Sequence, residues 1–499
     1  MQKGVWCSRK LPRLCRTVSA FLSVAIGAPG ALGQEGAWLV RLSLDTTQWQ
    51  AWITVPHLWT RAAVPPALPS WELTIQCPAD TSRLGPLQGT LETSPPLELL
   101  LCLDRSAAAT LSPAALREML ATVVQHLRPE DRLVVVQYRY RADAIHAVSG
   151  WHAAAAVDTM LILPPSGTAA PLHILQAALE YCRQAPSVRL RALVLLTEAS
   201  DQASFLVSAE EVIESARQLA LPICVLQSGM MGERALWKAL ACRTGGIYVW
   251  NAVAAPDILA WQLSWLVRGL QVHYRLRFPA PPPCGVLQLV FSSAQLGVFF
   301  RYQVEDSLPG QVPLFRTLCF FEPGDTAIGP ETEPLLEDLA QWLRAHPQEV
   351  VELLGHSGQS EKAAEALALQ RVQALRRRLL RLGVASRQLR VRSEGNRRPL
   401  SYFENSPHQQ RSNCRVELRW LRPELLPYEL LAGTAATEAQ ALRMVELWEA
   451  RGYAAYYEPI VHNGEPAFRI KLWGFATAAD AERARFHIQR RYGLALRRW

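Results

Sequence analysis

The chain has 499 residues, 49% of them hydrophobic, and its 52 Lys and Arg outnumber 44 Asp and Glu for a formal net charge of +8. That length supports three or four domains with cores of their own, and the even spread of apolar residues speaks against a membrane-embedded mature chain. The positive excess is mostly Arg and gathers between Arg371 and Arg419. It calls for an acidic partner, for which nucleic acid is not required: a planar guanidinium fork donates in pairs and suits carboxylates. The plainer alternative is a solvated, Arg-rich helix face.

At the N-terminus, Lys3, Arg9, Lys10, Arg13 and Arg16 precede a short apolar stretch from Val18 to Ile26, then Pro29 and Ala31-Leu32-Gly33. Small residues at the −3 and −1 positions before Gln34 make residues 1–33 a Sec-type signal peptide, and the apolar run is short for a bilayer span. The expected location is the periplasm or cell envelope, with an uncleaved anchor as the alternative. Cys7 and Cys15 would leave with the signal. The other eight, Cys77, Cys102, Cys182, Cys224, Cys242, Cys284, Cys319 and Cys414, form no CxxC pair, so zinc is not expected.

Residues 38–96 alternate apolar and polar positions and predict a β region. From residue 97, apolar runs alternate with helical patterns: strands at 99–103, 133–136, 192–196 and 222–226, helices at 112–127, 172–182 and 210–219. This predicts a parallel sheet covered on both faces over 97–270. Residues 272–313 return to β character, and sharing one β-sandwich with 38–96 would give both segments a core. Over 315–420 the order is strand, helix, strand, a long Arg-rich helix, then two strands. Residues 426–499 predict β-α-β-α, after a break at 422–427.

Three stretches carry motifs. Asp104-Arg105-Ser106-Ala107-Ala108 closes the strand at 99–103, Thr168 follows Ser166-Gly167, and Thr197-Glu198 closes a later strand. This resembles a von Willebrand factor type A domain, a doubly wound fold in which DxSxS, a loop Thr and a strand-end Asp hold a divalent cation. The resemblance implies Asp104, Ser106, Thr168 and Glu198 as a degenerate metal site. Ala108 removes one hydroxyl and Glu198 is longer than Asp. Both a weakened magnesium site and a decayed scaffold stay open, and no other cofactor is expected. Arg105 is a competitor for the open carboxylate.

Gly355-His356-Ser357-Gly358, Arg371 on the following helix, and Asn413-Cys414-Arg415-Val416 resemble the OmpA-like peptidoglycan-binding domain, whose GHTD, helix Arg and NRRV motifs grip a diaminopimelate zwitterion. The resemblance implies Arg371, Asn413 and Arg415 as peptidoglycan contacts. Gly358 stands where the family has Asp, and Glu361 or Glu365 is the candidate replacement. For His356 a structural hydrogen bond is expected before a ligand role. Finally, Tyr428 to Thr434 and Phe468 to Phe475 resemble a SPOR domain, a small α+β fold that binds denuded glycan strands. It implies sugar contacts by Tyr428, Arg469, Trp473 and Phe475 on one open sheet; the plainer reading of Trp473 is core filling.

The expectation is a multidomain chain: β-sandwich-like flanks around a doubly wound type A domain, an OmpA-like βαβαβ domain, and a SPOR domain. Its implied role is non-catalytic peptidoglycan binding in the envelope, with an unidentified envelope protein engaged through the type A domain. The competing role is a scaffold whose domains have lost their ligands. No GxSxG, HExxH or P-loop is present, so a wall hydrolase is not expected.

Overall fold

The computed structural model describes residues 38–498 except 44–46, 56–57, 59–67, 79, 151–152, 186, 200, 202, 230–232, 282–285, 306–307, 309–314 and 463–464. The signal peptide expected at 1–33, with Cys7 and Cys15, and Cys284 lie outside the described residues. Among these residues no helix is long and apolar enough to cross a membrane.

The two flanking β segments pair with each other. Val272–Pro279 runs antiparallel between Gln48–Thr54 and Thr90–Thr93, and Val286–Ser293 runs beside Ser70–Cys77. The resulting four-stranded sheets face one another through aromatic contacts such as Phe278 with Phe291 and Trp71 with Tyr274. Each segment alone is too short to bury a sheet face, which is why strands far apart in sequence combine. Cys77 is disulfide-bonded, while Cys102, Cys182, Cys224, Cys242, Cys319 and Cys414 are free and buried.

Between the segments lies a six-stranded sheet. Its central strand Leu97–Asp104 is buried along its whole length, between parallel strands Arg132–Tyr138 and Leu190–Thr197. A continuous apolar run fits a strand covered on both faces. Only the edge strand Ala142–Ser149 is antiparallel, and its alternating exposure fits an edge.

A second α/β unit follows, with strand order Phe315–Phe320, Arg415–Leu421, Val350–His356, Leu389–Gly395. Helices Glu333–Ala345 and Ala364–Arg381 cover one face with Leu335, Leu336, Leu339, Leu343, Val372, Leu375 and Leu379. The last sheet orders Ala455–His462, Glu465–Phe475, Tyr428–Ala435 and Arg497–Arg498, under helices Glu438–Ala450 and Ala478–Tyr492. The expected β-α-β-α thus gains two strands. Ala455–His462 contains Pro459, which reads as a breaker, but it is an edge strand, where a missing N–H costs no ladder bond.

These units interlock. The loops at the carboxyl end of the six-stranded sheet share an apolar cluster with the following unit, joining Tyr140, Ala170 and Ala203 to Leu318, Leu335 and Leu336. Helices Ala364–Arg381 and Glu438–Ala450 are joined by a buried Glu449 that accepts from Gln373 at 3.0 Å and pairs with Arg376.

Candidate functional site

The site around Arg371 begins at a sharp entry into helix Ala364–Arg381. Ala363 takes φ 53°, a left-handed conformation uncommon for a residue with a side chain, and turns the 357–361 loop back over the helix. Arg371 is fully buried there, and each of its five N–H groups has an acceptor. Nε donates to the Asp325 carbonyl at 2.9 Å. Nη1 donates to the His356 carbonyl at 3.1 Å and Glu361 Oε2 at 2.8 Å, and Nη2 to the Glu322 carbonyl at 3.3 Å and Glu361 Oε1 at 2.6 Å. Glu361 also accepts from the Gly324 and Gly358 amides, each at 2.6 Å. Burial raises its carboxyl, but the Arg371 fork and these amides outweigh it and bring it down to about 2.

Glu361, one of the two candidate replacements for the family's Asp, fills the Arg371 fork from within. Glu365 goes elsewhere, accepting from Ser393 Oγ at 2.9 Å and pairing with Arg397. The space an Asp side chain would enter at position 358 is taken by Glu404, whose Oε1 would lie 2.9 Å from a Cβ added to Gly358. Glu404 accepts from the Gln359 amide at 2.7 Å, Ser360 Oγ at 2.8 Å and Asn413 Nδ2 at 2.8 Å. Sequence reasoning missed Glu404, because the loop that delivers it lies far from residue 358 in sequence and no motif marks it.

Asn413 and Arg415 are likewise buried rather than poised for a ligand. Asn413 Oδ1 accepts from the Leu400 and Ser401 amides, and its Nδ2 donates to the Ser401 carbonyl and to Glu404. Arg415 pairs with Glu417 at 2.7 Å and donates to the Arg398 carbonyl at 3.1 Å. His356 Nε2 lies 3.3 Å from Glu417 Oε2. Burial raises the Glu417 carboxyl, and His356 and Arg415 bring it down to about 2.

The residues expected to hold a cation lie at the carboxyl end of the six-stranded sheet, but they do not fit one. Asp104 Oδ1 accepts from the Ser106 amide at 2.8 Å, and Oδ2 from Thr197 Oγ1 at 3.1 Å and the Glu198 amide at 3.4 Å. Ser106 Oγ accepts from the Ala108 amide at 3.3 Å. Glu198 accepts from the amide and hydroxyl of Thr110. Thr168 Oγ1 donates to the Leu318 carbonyl at 2.9 Å, in the neighbouring unit. Burial raises the carboxyls of both Asp104 and Glu198. Among the described residues no group of three or more His, Cys, Asp and Glu is placed to hold a metal. Arg105 does not compete for Asp104 by hydrogen bonding either: its guanidinium donates to the Leu163 and Leu111 carbonyls. The same sheet end is packed against the next unit by Tyr140 with Asp338 and by Arg141 with Asp338 at 3.1 Å, so an outside partner does not have this edge free.

The four expected sugar contacts are separated. A register shift between Tyr428 and Leu430, opposite Leu472 to Phe475, puts Tyr428 and Phe475 against the helix-side core. Arg469, Lys471 and Trp473 point to the other face. There Arg469 pairs with Glu458 at 3.2 Å, and Lys471 with Glu429 at 3.1 Å and Glu458 at 3.2 Å. Arg390, from the neighbouring unit's edge strand, lies 3.6 Å over the Tyr456 ring and 5.2 Å from the Trp473 ring centroid. Trp473 is 5% exposed. The sheet expected to be open to sugars is covered around Trp473 by the same chain.

Motif, strand order and helix cover coincide over one stretch, and the OmpA family matches residues 320–413. These residues form an OmpA-family domain. The chain is also similar to the peptidoglycan-associated lipoprotein from Burkholderia pseudomallei (26% identity, 20% of this chain and 87% of that one, TM-score 0.20) and to the periplasmic domain of Helicobacter pylori MotB, residues 78–256 (21% identity, 22% and 78%, TM-score 0.20). A von Willebrand factor type A protein from Catenulispora acidiphila is similar at 12% identity over 71% of this chain and 89% of that one, with a TM-score of 0.29. No curated protein matches the chain.

Proposed function

We propose that this chain is a non-catalytic protein of the bacterial cell envelope that associates with peptidoglycan through its OmpA-family domain. The observation that carries the reading is the family match over residues 320–413, which takes in Arg371, His356 and Asn413. Arg371 already holds a carboxylate in a two-point fork, the geometry a stem-peptide carboxylate would adopt after displacing Glu361. The region at 426–499 would add a SPOR-like glycan contact once its sheet parts from Arg390. The type A-like domain would meet an envelope partner through a face other than its carboxyl edge. Export by the signal at 1–33 completes the proposal.

The closed fork favours a second reading, a scaffold whose domains bind one another instead of the wall. Sedimentation with purified sacculi separates the two. Under the first reading the full chain co-sediments, Glu361→Gln raises the bound fraction by weakening the internal competitor, and Arg371→Ala lowers it. If the full chain and Glu361→Gln both stay in the supernatant, the scaffold reading stands.

A further inference from the structure

The seam between the six-stranded sheet and the OmpA-family domain holds a cavity of about 780 Å³. Its wall carries Asp201, Glu233 and Arg316 beside Phe205, Trp342 and Trp420. It lies in the loops beyond the carboxyl ends of parallel strands, between two domains, where ligand sites of α/β proteins concentrate.

Asp201 is 3% exposed, and its Oδ1 has no hydrogen-bond partner. Arg316 comes from the first strand of the OmpA-family sheet, and its Nε and Nη1 also lack hydrogen-bond partners. Arg316 Nη1 and Asp201 Oδ2 are 3.7 Å apart, too far for a hydrogen bond. Orphaned buried groups of this kind are costly and rare in folded proteins. Here an orphaned acceptor and two orphaned donors of opposite charge lie together in one cavity wall. Glu233 adds a second carboxyl, raised to about 7 by burial and by the Asp201 charge. The aromatic side is ordered: Trp342 and Trp420 meet edge to face at 4.8 Å, and the Arg316 guanidinium lies 5.3 Å over Phe205.

We propose that this cavity binds the zwitterionic end of an α-amino acid with an aliphatic or aromatic side chain. The ammonium would satisfy Asp201 Oδ1, the carboxylate would accept from Arg316 Nε, and the side chain would lie against Trp342, Trp420 and Phe205. The site is separate from the Arg371 fork and does not depend on wall association. The same chemistry is offered by a free amino acid and by a diamino acid whose far end projects from a stem peptide.

Calorimetry on the full chain tests this with L-leucine and meso-diaminopimelate as probes, and with L-leucinamide and N-acetyl-L-leucine as blocked controls. At least one zwitterion should bind saturably. Leucine alone indicates the free amino acid, and diaminopimelate alone indicates the stem-peptide source. Each blocked control should bind roughly tenfold or more weakly, the loss expected of one charge-assisted contact. Asp201→Asn and Arg316→Lys should weaken binding by a similar factor. Arg316→Lys keeps the charge and serves if Asp201→Asn does not fold. Leucine heat lost in Asp201→Asn and Arg316→Lys belongs to this cavity and not to the fork, which is made by Arg371 and Glu361, and this holds even if sacculi are not bound. Absence of saturable heat with both zwitterions, or binding equal in wild type, Asp201→Asn and Arg316→Lys, overturns the proposal.

Discussion

Glu361 grips Arg371 from ten residues earlier in the chain, with both carboxylate oxygens within 2.8 Å of separate guanidinium nitrogens and both side chains almost wholly withdrawn from water. A buried pair of this kind adds little net stability while intact but is costly to halve, because the remaining charge keeps its desolvation penalty.

Arg371→Ala should therefore destabilise the OmpA-family domain by about 3–5 kcal/mol, as an uncompensated buried carboxylate does. Urea unfolding followed by far-UV circular dichroism would show it. The double variant Arg371→Ala/Glu361→Gln should recover part of the loss. A single-variant cost under about 1 kcal/mol, typical of exposed pairs, would mean the fork is open in solution.

Acid should weaken the same domain in a defined window. Glu361 and Glu417 titrate near 2 in the fold against an ordinary value of 4.5. Depressed carboxyls contribute stability that is full above 4.5 and is lost as pH falls toward 2. The loss is at most on the order of 3 kcal/mol per group. Buried Asp104 and Glu198, raised instead of lowered, act in the opposite direction. Glu361→Gln should flatten the acid limb of stability measured against pH. An unchanged limb would assign the acid sensitivity to other groups.

Magnesium should give no saturable calorimetric isotherm at the Asp104 site, since both Asp104 oxygens and both Glu198 oxygens already accept hydrogen bonds and Thr168 faces Leu318. A saturable isotherm that disappears in Asp104→Ala would show that the site reorganises to take the ion.

Glu449→Ala would leave Arg376 buried without this carboxylate, and Arg390→Ala would uncover Tyr456 and Trp473. Both should loosen the C-terminal unit from the OmpA-family domain. Hydrogen exchange should then rise at 389–395 and 469–473, and cleavage at 422–427 should quicken in limited proteolysis. Protection equal to wild type in both variants would mean that the apolar contacts hold the two units together unaided.

Much of the architecture is legible in the chain. The continuous apolar run 99–103 announces a strand covered on both faces, and the helical spacing of Leu335, Leu336, Leu339 and Leu343 announces the face they bury. The edge strand Ala455–His462 lies outside the expected β-α-β-α order, and its Pro459 is tolerated at the sheet edge.

The candidate sites were legible as motifs, not as states. Asp104 closes its strand, Arg371 lies on the helix after Gly358, and Asn413 stands just before the strand Arg415–Leu421, positions that local pattern alone sets. Whether a side chain meets a ligand or its own protein depends on groups that arrive from elsewhere in the sequence: Glu404 beside Gly358, Leu318 at Thr168, Arg390 over Tyr456 and near Trp473. Local pattern and hydrophobic period determined the elements and their covered faces. Only the packing of one domain on another decided which polar groups were already satisfied, since hydrogen-bond satisfaction is a property of three-dimensional neighbours.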